Sequence, residues 1–201
     1  MEKAGGFREL ESQIYDLNHS NEKFIDKCKI VFLIPEEADG TENYFVYYDN
    51  HEKNNPDYRD RVEISDAYYK YEPIRGFYYE SWFYKITQNG YISYTIAKKG
   101  EILNRPISQQ VSKFKKNQNE LYPKNSEHVT SLCFNLWLYN NFDYELISTN
   151  EKLVSADILI DGNLMVKCII TSTSKREEIK STVVYKYYYC PTEEKRMNVH
   201  V

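Results

Sequence analysis

The sequence predicts a mainly β protein: a jelly-roll-like antiparallel β-sandwich with two added helices, in a single domain over residues 1–201. Three observations carry this. Short apolar or alternating runs recur eight or nine times along the chain. Asp39-Gly40, Asn89-Gly90 and Asp161-Gly162 stand between such runs. Asn-Gly and Asp-Gly favour two-residue hairpin turns because both central residues of a type I′ turn need positive φ. Only two segments carry convincing helical spacing, and no repeat or linker interrupts the chain.

Residues 1–6, MEKAGG, read as a flexible arm. Phe7, Leu10, Ile14 and Leu17 then fall at helical spacing, which predicts an amphipathic helix over 7–17. Residues 24–35 read as a strand ended by Pro35, with 42–49 returning beside it after the Asp39-Gly40 turn. Residues 50–61 are polar and loop-like. Residues 76–87 form an aromatic strand, and Asn89-Gly90 turns it into a partner over 91–100. Residues 104–125 are a polar connection with room for a short helix. Ser126 caps a helix over 126–142, where Val129, Leu132, Cys133 and Leu136 recur at helical spacing and Leu136 and Trp137 are expected in the core. Strands over 144–149, 152–160 and 163–173 follow, the last two joined by Asp161-Gly162, and 181–190 is the final strand.

Composition bounds the function. The formal net charge is −4 and 28% of residues are charged, so no bulk attraction to nucleic acid or membrane is expected. The longest basic run, Lys113 to Lys116, is interrupted by Phe114. No stretch reaches the ~20 apolar residues of a membrane-spanning helix. The N-terminus lacks a signal peptide's apolar segment, so the chain is expected in cytosol or nucleus, where the glycosylation acceptor at Asn18 would go unused. Cys28, Cys133, Cys168 and Cys190 lie far apart with no CxxC pair, which argues against zinc. In a reducing compartment they are free thiols, with Cys190 the one placed to be accessible. Abundant Lys, Asn, Ile and Tyr with scarce Gly also fit an AT-rich genome, a source of tyrosine that involves no selection.

No catalytic pattern is present: there is no GxGxxG, P-loop, HExxH or GxSxG. No catalytic residue, metal site or cofactor is therefore expected. His19, His51, His128 and His200 are scattered, and His128 and Cys133 would face different sides of one helix. Asp157 and Asp161, four apart on a strand, would share a face and could hold a cation, although aspartates flanking a hairpin are the commoner case. The aromatic run 72–85 could stack bases, but without surrounding positive charge it fits a sheet core or an interface better.

The stretch VVYKYYYC, residues 183–190, puts Tyr185, Tyr187 and Tyr189 on one face of a strand and Tyr188 on the other. Twenty of the 201 residues are tyrosine. Phenols on both faces of one strand suggest contacts beyond the chain's own core.

Several segments, in order, resemble the occlusion-body matrix proteins of insect viruses, the polyhedrin and granulin family. YISYTIAKKGEILNRPI (91–107) resembles that family's strand ending in an Ala-Lys-Lys-Gly turn. LWLYNNFDYELIS (136–148) resembles its aromatic helix running into a strand, and ADILIDGNLMVKCII (156–170) the strands that follow. FRELESQIYDL and KCKIVFLIP, upstream, resemble its Phe-Arg-Glu helix and Pro-ended strand. The chain departs from the family in lacking a longer N-terminal region and a basic nuclear-localisation run, and in some thirty additional C-terminal residues. The resemblance implies a jelly roll and a structural protein. Such a protein packs with copies of itself into a crystalline matrix around virions, in the cytoplasm or nucleus of the infected cell, and dissolves in alkali. On that reading Phe7, Leu10 and Ile14 of the arm and helix (1–17) dock on a neighbouring copy. Tyr185, Tyr187, Tyr188, Tyr189 and Cys190 supply further lattice contacts, and Cys190 is a candidate for an intermolecular disulfide. A soluble β-rich module that blocks one partner protein, such as a viral or bacterial antagonist, is the alternative from a different class. An enzyme whose site the sequence does not reveal is a third.

Overall fold

A computed structural model describes residues 8–21, 24–47, 56–74, 77–102, 105–107, 110–114, 130–133, 137–140, 143–146, 152–173, 177, 179–192 and 194–201. The described residues are strands and connections, without a helix. Contacts within the chain divide it into two compact units, Met1–Arg59 and Asp60–Val201, where the sequence suggests one domain.

The first unit is a hairpin of β1 (Ser12–Asn21) and β2 (Phe24–Phe32), antiparallel, with Ile14 opposite Ile30. Its ladder is irregular beyond Tyr15, where Asp16 takes a φ of 50°. The expected helix over 7–17 is therefore corrected to a strand from Ser12 onward. The apolar, partly β-branched β2 needs a hydrogen-bonding neighbour, and that pairing overrides the weak helical preference of the segment. The expected hairpin between 24–35 and 42–49 is corrected too. The turn forms, with Gly40 at a φ of 88° and the Glu42 carboxylate accepting from the Asp39 and Gly40 N–H groups at 2.9 and 3.1 Å. Beyond it residues 41–47 make no strand, and Tyr44 only rests its ring 5.2 Å from that of Phe32.

The second unit holds two larger antiparallel sheets. One has the order β3 (Val62–Ile74), β4 (Phe77–Gln88), β5 (Tyr91–Ile102), β7 (Gln110–Lys113), β8 (Thr130–Cys133), with β6 (Arg105–Ile107) also on β5. The other runs β11 (Lys152–Asp161), β12 (Met165–Thr173), β13 (Lys180–Tyr188), β14 (Met197–His200). β9 (Trp137–Asn140) and β10 (Asp143–Leu146) form a small separate hairpin. The two large sheets meet face to face in one core: Ile64, Ile86 and Ile96 from the first pack with Val166, Ile170 and Tyr187 from the second. Each fully buried side chain of this kind contributes roughly 1.5–3 kcal/mol. The sandwich is thus present. Its strands run as two meanders, and the alternation of successive strands between sheets that marks a jelly roll is absent among the described residues.

Where turn chemistry is strong, sequence and structure coincide. Asn89 and Gly90 take φ values of 51° and 81°, as a type I′ turn requires, and Gln88 pairs with Tyr91. The expected helix over 126–142 is corrected: Thr130–Cys133 and Trp137–Asn140 are strands. Thr, Trp and Tyr favour the extended chain, and β8 finds a partner in β7, with Val111 opposite Leu132. Leu136 lies outside the described residues, and the side chain of Trp137 is not described. Short strands β6 and β7 occupy part of the segment read as a polar connection. β3 and β14 were not anticipated.

Candidate functional site

β13 carries the tyrosine run and lies between β12 and β14, with Tyr185 opposite Cys168 and Val199, and Tyr187 opposite Val166 and Met197. Val183, Tyr185 and Tyr187 alternate inward into the sandwich. Tyr185 and Tyr187 are 1% and 0% exposed, so these two phenols, expected as lattice contacts, face the chain's own core. Tyr188 points to the other side and is half-buried. Tyr189 lies just past the strand, packed on the core margin with the Arg61 guanidinium 5.0 Å above its ring.

Around Tyr187 the polar groups converge on Gln88, with the buried Ser93 hydroxyl beside the same phenol. Gln88, the last residue of β4, accepts from the Tyr187 hydroxyl at 2.7 Å and from the Cys190 N–H at 3.1 Å through Oε1. Its Nε2 donates to the Cys190 carbonyl at 2.8 Å. The Tyr94 ring meets that of Tyr187 edge-on at 5.4 Å, and its hydroxyl donates to the Lys195 carbonyl at 2.9 Å. One glutamine and two tyrosines thereby pin the connection between β13 and β14 to the end of β4 and to β5. Burial raises the pKa of Tyr187 and of Tyr94 above the usual phenol value. Burial, with the nearby Lys113 charge, lowers that of Lys195. Sequence reasoning missed Gln88 and Lys195. The only signal was position, at the mouth of a recognised hairpin and two residues before a short terminal strand.

Cys190 sits in this connection and not beyond the last strand. It is half-buried, with Sγ 3.1 Å from Thr192 Oγ1 and donating to the Glu194 carbonyl at 3.4 Å. Beside it is an open hollow of about 350 Å³ lined by Tyr188, Tyr189, Cys190, Thr192, Glu194, Arg196 and Asn198. Arg196 and Glu194 neutralise one another across 2.7 Å, and the lining holds no histidine to activate the thiol. Among the described cysteines Cys28 is the exposed one, in place of Cys190.

Asp157 and Asp161 do not share a face. The ladder between β11 and β12 skips Leu159, so Asp157 stands opposite Ile169 and Asp161 opposite Val166, on alternate sides. Asp161 instead accepts the Ile64 N–H at 3.1 Å, tying β11 to the start of β3. Among the described residues no group of three His, Cys, Asp or Glu side chains could hold a metal ion, and no helix is long and apolar enough to cross a membrane.

Among the described residues two largely aliphatic surfaces remain uncovered, besides the exposed Tyr68–Trp82 ring pair on β3 and β4. In the first unit Ile14 and Ile25 are 57% and 54% exposed, and Ile34, Phe45 and Val46 are exposed as well. Leu10 is half-buried, and Phe7 lies outside the described residues. A two-stranded hairpin has no second layer of its own to cover such side chains. In the second unit the edge strand β11 exposes Leu153, Val154, Ile158 and Leu159. What the described surface offers is apolar contact area; it shows no converging set of reactive groups.

No family model matches this chain, and it matches neither a curated protein nor a solved structure.

Proposed function

We propose that this chain is a structural protein that assembles with copies of itself, and that the assembly is the crystalline matrix of a viral occlusion body. The observation that carries the first half is the uncovered hairpin. An isolated two-stranded sheet is marginal in water, and this one leaves large apolar side chains on its surface that its own unit does not hide. Covering them with a neighbour stabilises both the hairpin and the contact. The second half comes from the ordered sequence resemblance to occlusion-body matrix proteins. The jelly-roll plan belongs to that resemblance as well.

The test is Ile14→Lys combined with Ile25→Lys. Both positions are more than half exposed, so the substitutions should move the stability of one chain by no more than ~0.5 kcal/mol. The parent chain should form large species by light scattering and particles in expressing cells, and the double variant should fall to the 24.0 kDa of one chain. A parent that stays at 24.0 kDa at every concentration, or a variant that assembles as the parent does, overturns the reading. A stable monomer would favour instead a module that binds one partner protein.

A further inference from the structure

We propose that the edge strand β11 pairs with β11 of a second copy, antiparallel about a two-fold axis at Ala156, so that two four-stranded sheets join into one. This rests on the self-assembly reading above and names one contact of it. Among the described residues β11 has a hydrogen-bonded neighbour on one side only, β12. The free side of an edge strand presents a row of N–H and C=O groups that another strand can take up. Edges are commonly guarded by charge, yet here the strand exposes four large apolar side chains, with Val154 at 55% and Leu159 at 48%.

The order of those side chains identifies the partner. On one side of Ala156 stand Ser155, Val154 and Leu153, and on the other Asp157, Ile158 and Leu159. A two-fold axis normal to the sheet keeps each side chain on its own face, so it must pass through a residue pair and set positions equally distant from Ala156 opposite one another. Leu153 then meets Leu159 of the copy, Val154 meets Ile158, and Ala156 meets itself. Asp157, the one charged residue in the stretch, meets the Ser155 hydroxyl, a donor for its carboxylate. Neighbouring registers do worse. An axis at Asp157 sets two carboxylates directly opposite, and an axis at Ser155 sets Leu153 against Asp157.

The ladder to β12 passes over Val154 and Leu159, leaving a bulge at each. Bulges turn an edge away from a regular strand. In the register about Ala156, Val154 of one chain is level with Ile158 of the other, one step from the second chain's bulge. The irregularities of the two copies thus lie one step apart, and Ser155, Ala156 and Asp157 form the regular centre of the contact.

Cysteine substitution with copper–phenanthroline oxidation tests this. Directly opposed residues of an antiparallel pair have Cα atoms about 4.5–5.5 Å apart. That lies within the roughly 4.4–6.8 Å a disulfide spans. Ala156→Cys should therefore convert most of the chain to a covalent dimer. Val154→Cys should not exceed the parent's background from its native thiols, because its own copy lies about 13 Å away along the strand. Val154→Cys combined with Ile158→Cys should restore the dimer, and it keeps the test open if Ala156→Cys misfolds. A parent that self-associates in sedimentation while neither Ala156→Cys nor the double variant cross-links overturns the β11 contact and leaves self-assembly standing. Equal cross-linking of Val154→Cys and Ala156→Cys overturns the register. A parent that never self-associates overturns both.

Discussion

Replacing Gln88 by alanine removes three hydrogen bonds at one point: those to the Tyr187 hydroxyl, the Cys190 N–H and the Cys190 carbonyl. The three groups left behind do not suffer equally. Tyr187 is 0% exposed, so its orphaned hydroxyl keeps the full desolvation penalty, ~1–3 kcal/mol. Cys190 is half-buried, and its backbone groups can recover water, for ~0.5–1 kcal/mol each. The sum is about 2–5 kcal/mol, which for a unit of this size lowers the melting temperature by roughly 4–20 °C. Urea unfolding followed by tyrosine and tryptophan fluorescence measures it, with an unchanged slope as the check that the same unit unfolds. The discriminating step is a cycle with Tyr187→Phe. In the parent that change removes a satisfied bond and costs ~1 kcal/mol. In the Gln88→Ala background it removes an orphaned hydroxyl, so it should be neutral or stabilising, with a coupling of ~1–2 kcal/mol. If Tyr187→Phe costs the same in both backgrounds, or Gln88→Ala costs under ~0.5 kcal/mol, the glutamine does not hold this corner.

Two more expectations follow from burial. Raising the pH should destabilise the second unit. Burial pushes Cys168 up to about 12 from 9.0 and raises Tyr84, Tyr94 and Tyr187 above 10.0, so the unfolded chain releases these protons first. Stability from these groups is complete below about pH 9 and is lost as pH climbs toward 12 and beyond; a urea midpoint that stays level from pH 8 to 11.5 would contradict this. Among the described thiols, a disulfide reagent should modify Cys28 first, Cys190 more slowly and Cys168 only on unfolding. Disulfide dimers in aged material should therefore disappear on Cys28→Ser at least as fully as on Cys190→Ser, and persistence after Cys28→Ser alone would restore Cys190 as the linking thiol.

The sandwich was legible where local chemistry and global pairing agree. Asn89-Gly90 dictates positive φ at two successive residues, and the aromatic and β-branched runs on either side of it can only pair. The Asp161-Gly162 signal also marks a real connection, which carries β11 into the antiparallel β12 over residues 162–164. Both helix readings failed for one reason. Phe7, Leu10, Ile14 and Leu17 satisfy a period of 3.6, but periodicity records which residues could share a face and not which strand needs a neighbour. β2 and β7 needed neighbours, and Ile14 and Leu132 lie on the strands that fill those places. β3 escaped because its Tyr68 to Tyr71 stretch alternates poorly with charge, although its first half, Val62 and Ile64, is deep core. The Gln88 corner was not legible at all. Its partners lie 99 and 102 residues away, and nothing local marks a glutamine at a hairpin mouth as a clamp.

The tyrosine strand raised the question of why phenols should line both faces of β13, and its neighbours divide the answer. Tyr185 and Tyr187 are core residues whose size fills the space between two sheets, and Tyr187 also supplies a hydroxyl that Gln88 uses. Only Tyr188 on the outer face and Tyr189 past the strand border the surface hollow. This changes how alkali would act on an assembly. Phenolate repulsion at an interface cannot involve Tyr185 or Tyr187 while the chain is folded, and the proposed β11 contact holds no phenol, only Leu153, Val154, Ile158 and Leu159 around Ser155, Ala156 and Asp157. Alkali reaches that contact through the sheet beneath it. Cys168 stands opposite Ile158 in the ladder and is fully buried, so its ionisation requires β12 to part from its surroundings. An edge strand whose inner neighbour loosens loses the support that holds it extended for a second copy. Dissolution of such an assembly would thus be the loss of a fold and not the repulsion of intact surfaces, with buried tyrosines titrating as the particles disappear and not before.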